Sequence, residues 1–248
     1  MNIKFTFLLM VLYAAGASPV WAQLNYAPNR IHIPYLTGRY DGDVVFYAGY
    51  GKSLGAIEGQ VSFSPFRHFF FMAHGLTSGS KIQPSTQGAY YRMAEVGGGY
   101  YLPLPKASFT LSGGWGKGHI NNGFGEARYS ELFMERGFGQ AAIYFERKGW
   151  SAGCAIRGVY LTFPKGGIDF SIEDPQPLYA FVTIDRTAPY LFPEMGLQAG
   201  MRLKAVDIQF NLGMVMPDYS ELSFSMMNAG ASVVLDLSGL REEKGRNK

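Results

Sequence analysis

Apolar and polar residues alternate along much of this chain. From Met195 to Met201 every second residue is apolar, and the alternation resumes from Val206 to Met214. The residues between the apolar ones in the first stretch are polar or small: Glu194, Gly196, Gln198, Gly200 and Arg202. A period of two is typical of β-strands with unlike faces. The pattern predicts a sheet that is apolar on one side and polar on the other.

Similar segments elsewhere predict ten strands. Their ranges are 43–52, 55–65, 68–78, 88–103, 107–117, 131–147, 149–164, 191–203, 205–216 and 224–238. Most reach the ~9–11 residues with which a tilted strand crosses a bilayer, and a closed single-chain membrane barrel has an even number of strands. The predicted fold is therefore all-β, an antiparallel up-and-down transmembrane β-barrel with its apolar face in lipid.

The predicted connections alternate in length. Short turns are expected at the sequences PFR, LPK, RKG and LKA, whereas SGSKIQPSTQ, GHINNGFGEARYS, residues 164–189 and PDYSELS are expected to form longer loops. Short turns at one end and long loops at the other match the periplasmic and extracellular ends of an outer-membrane barrel. A first strand that starts in the periplasm would place both termini there.

The first residues are typical of a secretory signal peptide. Lys4 precedes an apolar run from Phe5 to Ala15, and Val20 and Ala22 are the small residues of a cleavage site. The run is shorter than the ~20 residues of a spanning helix. The expected division is a signal peptide at 1–22, a periplasmic lead-in at 23–42, the barrel at 43–240 and a polar periplasmic tail at 241–248.

Composition favours a surface that is not fully in water. Charged residues make up 17% of the chain, against ~25% in ordinary soluble domains. The formal net charge of +3 predicts no nucleic-acid partner. The single cysteine, Cys154, shares its face with Trp150 and Ile156 and is expected to face lipid. The alternative is a secreted soluble barrel such as a lipocalin, in which the apolar face points inward.

Three stretches resemble the small, mostly uncharacterised outer-membrane β-barrel proteins of Gram-negative bacteria. They are YAPNRIHIPYL at 26–36, VSFSPFRHFF at 61–70 and FPEMGLQAGMRL at 192–203. The resemblance implies localisation in the outer membrane, with the membrane lipid and the barrel-insertion machinery as partners. These barrels often end on an aromatic residue, whereas this chain ends in REEKGRNK; an insertion signal is then expected within 227–240.

Several charged residues fall on the predicted inner face. They are Glu58, Glu95, Glu194, Asp207, Arg157 and Arg202. Acids and arginines in a narrow lumen predict an internal salt-bridge network, which would either hold a filled barrel in shape or form an ion or proton path. Five aromatic residues near strand ends are expected to form the interfacial girdles: Tyr100, Tyr101, Trp115, Trp150 and Tyr160.

Enzymatic chemistry has weak support in the sequence. Outer-membrane enzymes that modify lipids use a histidine with a serine and a carboxylate or amide. The candidate sets are His74 with Ser78 and Ser80, and His119 with Glu126 and Ser130, and neither has the tight spacing of known lipases and deacylases. We identify no cofactor or metal motif.

The preferred role is structural or surface-binding. The longest predicted loop carries four acidic residues that could contact an extracellular ligand: Asp169, Glu173, Asp174 and Asp185. A narrow channel or transporter and a lipid-modifying enzyme remain the alternatives.

Overall fold

The structure is a computed structural model. It describes residues 29–38, 40–51, 55–78, 87–125, 128–147, 149–168, 188–203, 206–216 and 227–237. The predicted signal peptide, the polar tail and the acidic residues of the longest loop lie outside these ranges. No helix among the described residues is long and apolar enough to cross a membrane.

Ten antiparallel strands form one closed barrel. They are β1 (Gly42–Gly51), β2 (Gly55–Phe66), β3 (Phe69–Ser78), β4 (Gln87–Leu104), β5 (Ala107–Gly125), β6 (Arg128–Arg147), β7 (Trp150–Ile168), β8 (Tyr190–Leu203), β9 (Val206–Val215) and β10 (Met227–Asp236). Each strand pairs with the next in the chain, and β1 pairs with β10 to close the sheet. The predicted up-and-down barrel is confirmed.

The two ends of the barrel differ in their connections. The end at which β2 meets β3, β4 meets β5, β6 meets β7 and β8 meets β9 has connections of a few residues, and we call it the turn end. The opposite end is the loop end. One predicted loop was wrong: most of GHINNGFGEARYS is strand, because β5 runs to Gly125 and β6 starts at Arg128, and their residues pair along this hairpin.

In the part of the barrel nearer the turn end, apolar side chains point outward. Ile57 is 68% exposed and Leu197 52%, whereas their neighbours Glu58 and Gln198 are buried in the lumen. The same alternation holds along β9, where Ile208 and Phe210 are exposed. An inward apolar face, which a lipocalin-like barrel requires, is contradicted for this part of the molecule.

The polarity of the two faces inverts along β4–β7, which are 18 to 20 residues long. On β4 the outward residues from Leu104 to Ala94 are uncharged, and the next one is Arg92. The equivalent change occurs from Trp115 to Lys117 on β5. We call the uncharged outward zone below this level the apolar band, and the strand ends above it the wing.

Inside the barrel, the residues at the level of the wing are apolar. A buried cluster fills this part of the lumen, with members Leu76, Tyr91, Met93, Ile120, Leu132, Met134, Val159, Leu161, Phe163, Tyr190, Phe192 and Val215. The sequence had predicted a polar interior throughout. The difference arises because the outward residues of the wing include charged side chains, while burial of apolar side chains stabilises the inside at this level.

Candidate functional site

Residues 29–38 lie inside the barrel, and we call them the inner segment. They run from Asn29, beside Glu95 near mid-strand on β4, to Gly38, whose carbonyl oxygen accepts a hydrogen bond from Tyr101 near the turn end. The segment then enters β1 after Tyr40. The sequence had placed 23–42 outside the barrel as a periplasmic lead-in; the structure instead shows that this part of it occupies the lumen.

The barrel wall supplies hydrogen bonds to the backbone of the inner segment. An extended segment without a strand partner leaves its carbonyl groups unpaired, and buried carbonyls need partners. Three wall glutamines donate their side-chain amides to carbonyl oxygens of the segment: Gln60 to Arg30 at 3.1 Å, Gln140 to His32 at 2.6 Å and Gln198 to Ile33 at 3.3 Å. Ser108 donates to the carbonyl of Leu36 at 3.0 Å.

Arg30 ties the inner segment to both sides of the barrel. Its guanidinium donates to Asn211 and Gln209, each at 2.7 Å, and makes longer contacts of 3.3 and 3.4 Å with Gln198 and Gln60. Its backbone N–H donates to both carboxylate oxygens of Glu58 at 3.0 and 3.1 Å. These contacts on β2, β8 and β9 fix the segment against opposite walls.

An ion-pair cluster lies at the level of Asn29. Arg136 pairs with Glu95 and donates to Glu194 at 3.0 Å, while Arg157 Nε donates to the same Glu194 oxygen at 2.6 Å. All four side chains are buried. With Glu58 and Arg30, the central lumen holds three carboxylates and three guanidiniums, so its charges balance. Balanced, hydrogen-bonded pairs are what a buried charge cluster requires.

His74 joins the inner segment to this cluster. Its Nε2 lies 2.9 Å from Glu58 and its Nδ1 lies 3.1 Å from the side-chain nitrogen of Asn29. Asn29 Oδ1 accepts from Arg157, so its Nδ2 is the donor. His74 Nδ1 also lies 3.5 Å from Glu95, so the ring lies between the two carboxylates of Glu58 and Glu95 and the side-chain amide of Asn29.

A second polar group lies nearer the turn end. Asp207 accepts hydrogen bonds from Tyr144 and Ser151, each at 3.0 Å, and from Gln209 at 2.8 Å. Arg202 is partly exposed and pairs with Glu146 and Asp236 instead. Arg202 and Asp207 are neighbours in the β8–β9 register, but they belong to a group separate from the central cluster.

The structure thus places all six predicted inner charges in the lumen, but the central cluster also needs residues that the sequence did not single out. Arg136 was missed because β6 crosses the polarity inversion and mixes polar and apolar residues on both faces. The inward position of Arg136 could have been predicted from Ile143 and Phe145. These odd-numbered residues of β6 point outward, so the even-numbered position 136 points inward. Asn29 and Arg30 were missed because no strand pattern includes them.

Little empty space remains around the inner segment. A cavity of about 30 Å³ adjoins Arg30, Asp43 and Asp207, and one of about 10 Å³ adjoins Asn29 and His74. A water molecule needs roughly 10–15 Å³ by this measure, so the two cavities have room for at most one or two waters each. Neither of these two cavities is large enough for a hydrated solute.

The other sequence-predicted residues are dispersed. Tyr100, Trp115, Trp150 and Tyr160 point outward as predicted, but Tyr101 is fully buried and hydrogen-bonded in the lumen, so its assignment to a girdle was wrong. Cys154 faces outward and is exposed. His74 and Ser78 both point inward; Ser80 and Glu126 lie outside the described residues.

His119 does not meet Ser130. The imidazole lies on the outer face of the wing, 2.7 Å from Glu131 and stacked on Phe133, whereas Ser130 is buried inside and accepts from Asn122. His119 and Ser130 therefore lie on opposite faces of the sheet and cannot act together as the predicted catalytic pair.

The described residues contain no group of three or more His, Cys, Asp or Glu side chains that could hold a metal ion. Searches against protein-family models and against curated proteins found no match for this chain.

Proposed function

We propose that this protein is an outer-membrane β-barrel of a Gram-negative bacterium, sealed by its own inner segment, with a structural or surface-binding role at the loop end. The polarity inversion carries the proposal. Below Arg92 and Lys117 the outside is apolar and the inside polar; above them the outside is charged and the inside apolar. A single solvent does not favour both arrangements, whereas a lipid–water boundary at this level does.

The dimensions of the apolar band support lipid contact. On β4 the band runs between Lys106, in the turn, and Arg92, and on β6 between Arg147 and Glu135. These spans are close to the ~9–11 residues that a tilted strand needs to cross the hydrocarbon. The aromatic residues Trp115 and Tyr160, with ring centroids 6.0 Å apart, lie at its upper edge, where membrane barrels carry an aromatic girdle.

The filled lumen favours a surface role over transport. The inner segment and the ion-pair cluster fill the interior at the level of the apolar band. The buried apolar cluster fills it at the level of the wing. We therefore expect purified full-length protein to produce no steady conductance in planar bilayers. Stable single-channel currents from the wild-type protein would favour the channel instead.

Membrane placement is tested with two matched arginine substitutions. Ile156→Arg places a charge at the middle of the band on β7, and Tyr129→Arg places one on the outer face of the wing. We expect Ile156→Arg to lower the free energy of unfolding in lipid vesicles by about 2–4 kcal/mol, and Tyr129→Arg by about 0–1 kcal/mol. Heat-dependent gel mobility of the wild type provides the folding assay. Equal, small effects of both substitutions would refute lipid contact.

Surface binding is tested by deletion. Removing residues 169–185, with the predicted loop acids Asp169, Glu173, Asp174 and Asp185, should leave the heat-modifiable barrel intact and reduce binding of the protein to intact cells or extracellular matrix. Unchanged binding would exclude this loop as the contact.

A further inference from the structure

A groove on the outer face of the wing lies directly above the apolar band. Arg92 on β4, Lys117 and His119 on β5 and Phe133 on β6 line it, and its volume is about 330 Å³. Ala94, the last residue of the band on β4, forms its lower edge. The groove therefore opens where the uncharged surface ends and the charged surface begins.

The three basic side chains are concentrated within one cross-strand patch. Arg92 is paired with His119 in the β4–β5 register, and Lys117 is the next outward residue on β5, diagonal to Arg92. Arg92 and Lys117 carry like charges in diagonal positions, where like charges repel one another. An anion bound between these two side chains would reduce the repulsion.

Two carboxylates lie nearby, and each is paired with one basic residue of β5. Glu135 is 2.9 Å from Lys117, whose side chain is still 73% exposed, and Glu131 is 2.7 Å from His119. No described carboxylate lies within 4 Å of the exposed Arg92 guanidinium. Arg92 keeps a planar set of donors suited to phosphate oxygens, and Lys117 has two further N–H donors beyond the one used by Glu135.

We propose that this groove binds the phosphate group of an anionic lipid in the leaflet at the loop end. Arg92 and Lys117 contact the phosphate from two sides, while Phe133 and Ala94 contact the apolar part of the lipid below it. The inference rests on the proposed membrane placement, because only that placement brings lipid headgroups to this level. A lipid fits better than a free anion, since the groove combines cations with an apolar edge that continues into the band.

The test is native mass spectrometry of the full chain released from detergent containing phosphatidic acid or phosphatidylcholine. The variant is Arg92→Gln with Lys117→Gln, and the matched control is Arg67→Gln with Lys106→Gln, which removes two exposed cations at the turn end. We expect the wild type and the control to bind phosphatidic acid within twofold of each other, and the groove variant at least tenfold more weakly. Equal affinity in all three proteins would overturn the proposal.

Two further measurements distinguish a lipid site from a free-anion site and test the membrane placement separately. Phosphatidic acid that stays bound against a hundredfold excess of inorganic phosphate supports a lipid site, whereas displacement by equimolar inorganic phosphate overturns it in favour of a free-anion site. Depth-dependent quenching of a label on Cys154 by nitroxide lipids tests membrane placement alone. If the label is quenched but the wild type, the groove variant and the control bind phosphatidic acid equally, only the proposed lipid site is refuted. If the label is not quenched, the proposed membrane placement is refuted.

Discussion

Arg157 donates hydrogen bonds to both oxygens of Asn29, to the backbone carbonyl at 3.3 Å and to the side chain at 2.7 Å. The same guanidinium pairs with Glu194. One wall residue therefore links the inner segment to the ion-pair cluster. The inner segment and the buried charges of the lumen form a single structural unit.

Removing Arg157 should destabilise the barrel strongly. Arg157→Ala leaves Glu194 buried with fewer partners, and loss of one partner from a buried pair costs about 3–5 kcal/mol. Urea unfolding in detergent, followed by tryptophan fluorescence, measures the effect. Arg67→Ala, in the exposed β2–β3 turn, is the control and should change the free energy of unfolding by less than about 0.5 kcal/mol. Similar unfolding midpoints for the two variants would show that the cluster contributes little.

Arg30→Ala should loosen the inner segment without opening the β-sheet. The variant loses the guanidinium contacts with β2, β8 and β9, and hydrogen bonds to charged groups contribute about 1.5–3 kcal/mol each. The backbone amides of Ile31, His32, Ile33, Tyr35 and Leu36 should exchange hydrogen at least tenfold faster than in the wild type, as measured by mass spectrometry. Thr37→Ser, which keeps the hydroxyl that donates to Asp41 at 2.9 Å, should leave their exchange unchanged; identical rates in both variants would contradict anchoring by Arg30.

Gly99→Ala should be destabilising because β4 and β5 approach closely there. A Cβ atom at Gly99 would overlap the carbonyl oxygen of Leu111 and lie 2.7 Å from Ser112 Cα. Overpacking of this kind costs about 1–3 kcal/mol. At Gly75 on β3 an added Cβ meets nothing within 4 Å, so Gly75→Ala is the matched control. Heat-dependent gel mobility across a temperature series compares them, and equal transition temperatures would refute the close approach.

Cys154 offers a probe of membrane depth that needs no new cysteine. It points outward on β7 within the apolar band. A fluorescent maleimide on Cys154 should be quenched by nitroxide groups on lipid acyl chains and protected from aqueous iodide. The double variant Cys154→Ser with Tyr129→Cys moves the label to the wing and should reverse both results. Iodide quenching at Cys154 would place that face in water.

Strand positions were predictable because a half-buried strand has a fixed period of two. Ile57 and Glu58, or Leu197 and Gln198, identify their faces without any tertiary information. The ten predicted strands match the barrel in number and order, but β5 extends to Gly125 where the prediction ended at 117. The register of the wing was not predictable in the same way, because the polarity of each face changes partway along β4–β7.

The inner segment could not be predicted from periodicity. Asn29 and Arg30 act through contacts more than 100 residues away in sequence, with Arg157, Gln198 and Asn211, and an extended segment held by side chains has no repeat. The one sequence feature that indicated such a segment was the set of inward glutamines Gln60, Gln140 and Gln198. Side-chain amides that face a narrow lumen need partners, and here the backbone of the inner segment supplies them.

The polarity inversion also acts as a depth gauge. In the proposed membrane placement, a shift of the barrel toward the turn end by one outward position would move Arg92 and Lys117 into hydrocarbon, and the opposite shift would move Lys106 and Arg147 there. Because both displacements carry a penalty, a barrel so placed would have one preferred height in the bilayer. The wing would then hold the loop end at a constant distance from the lipid.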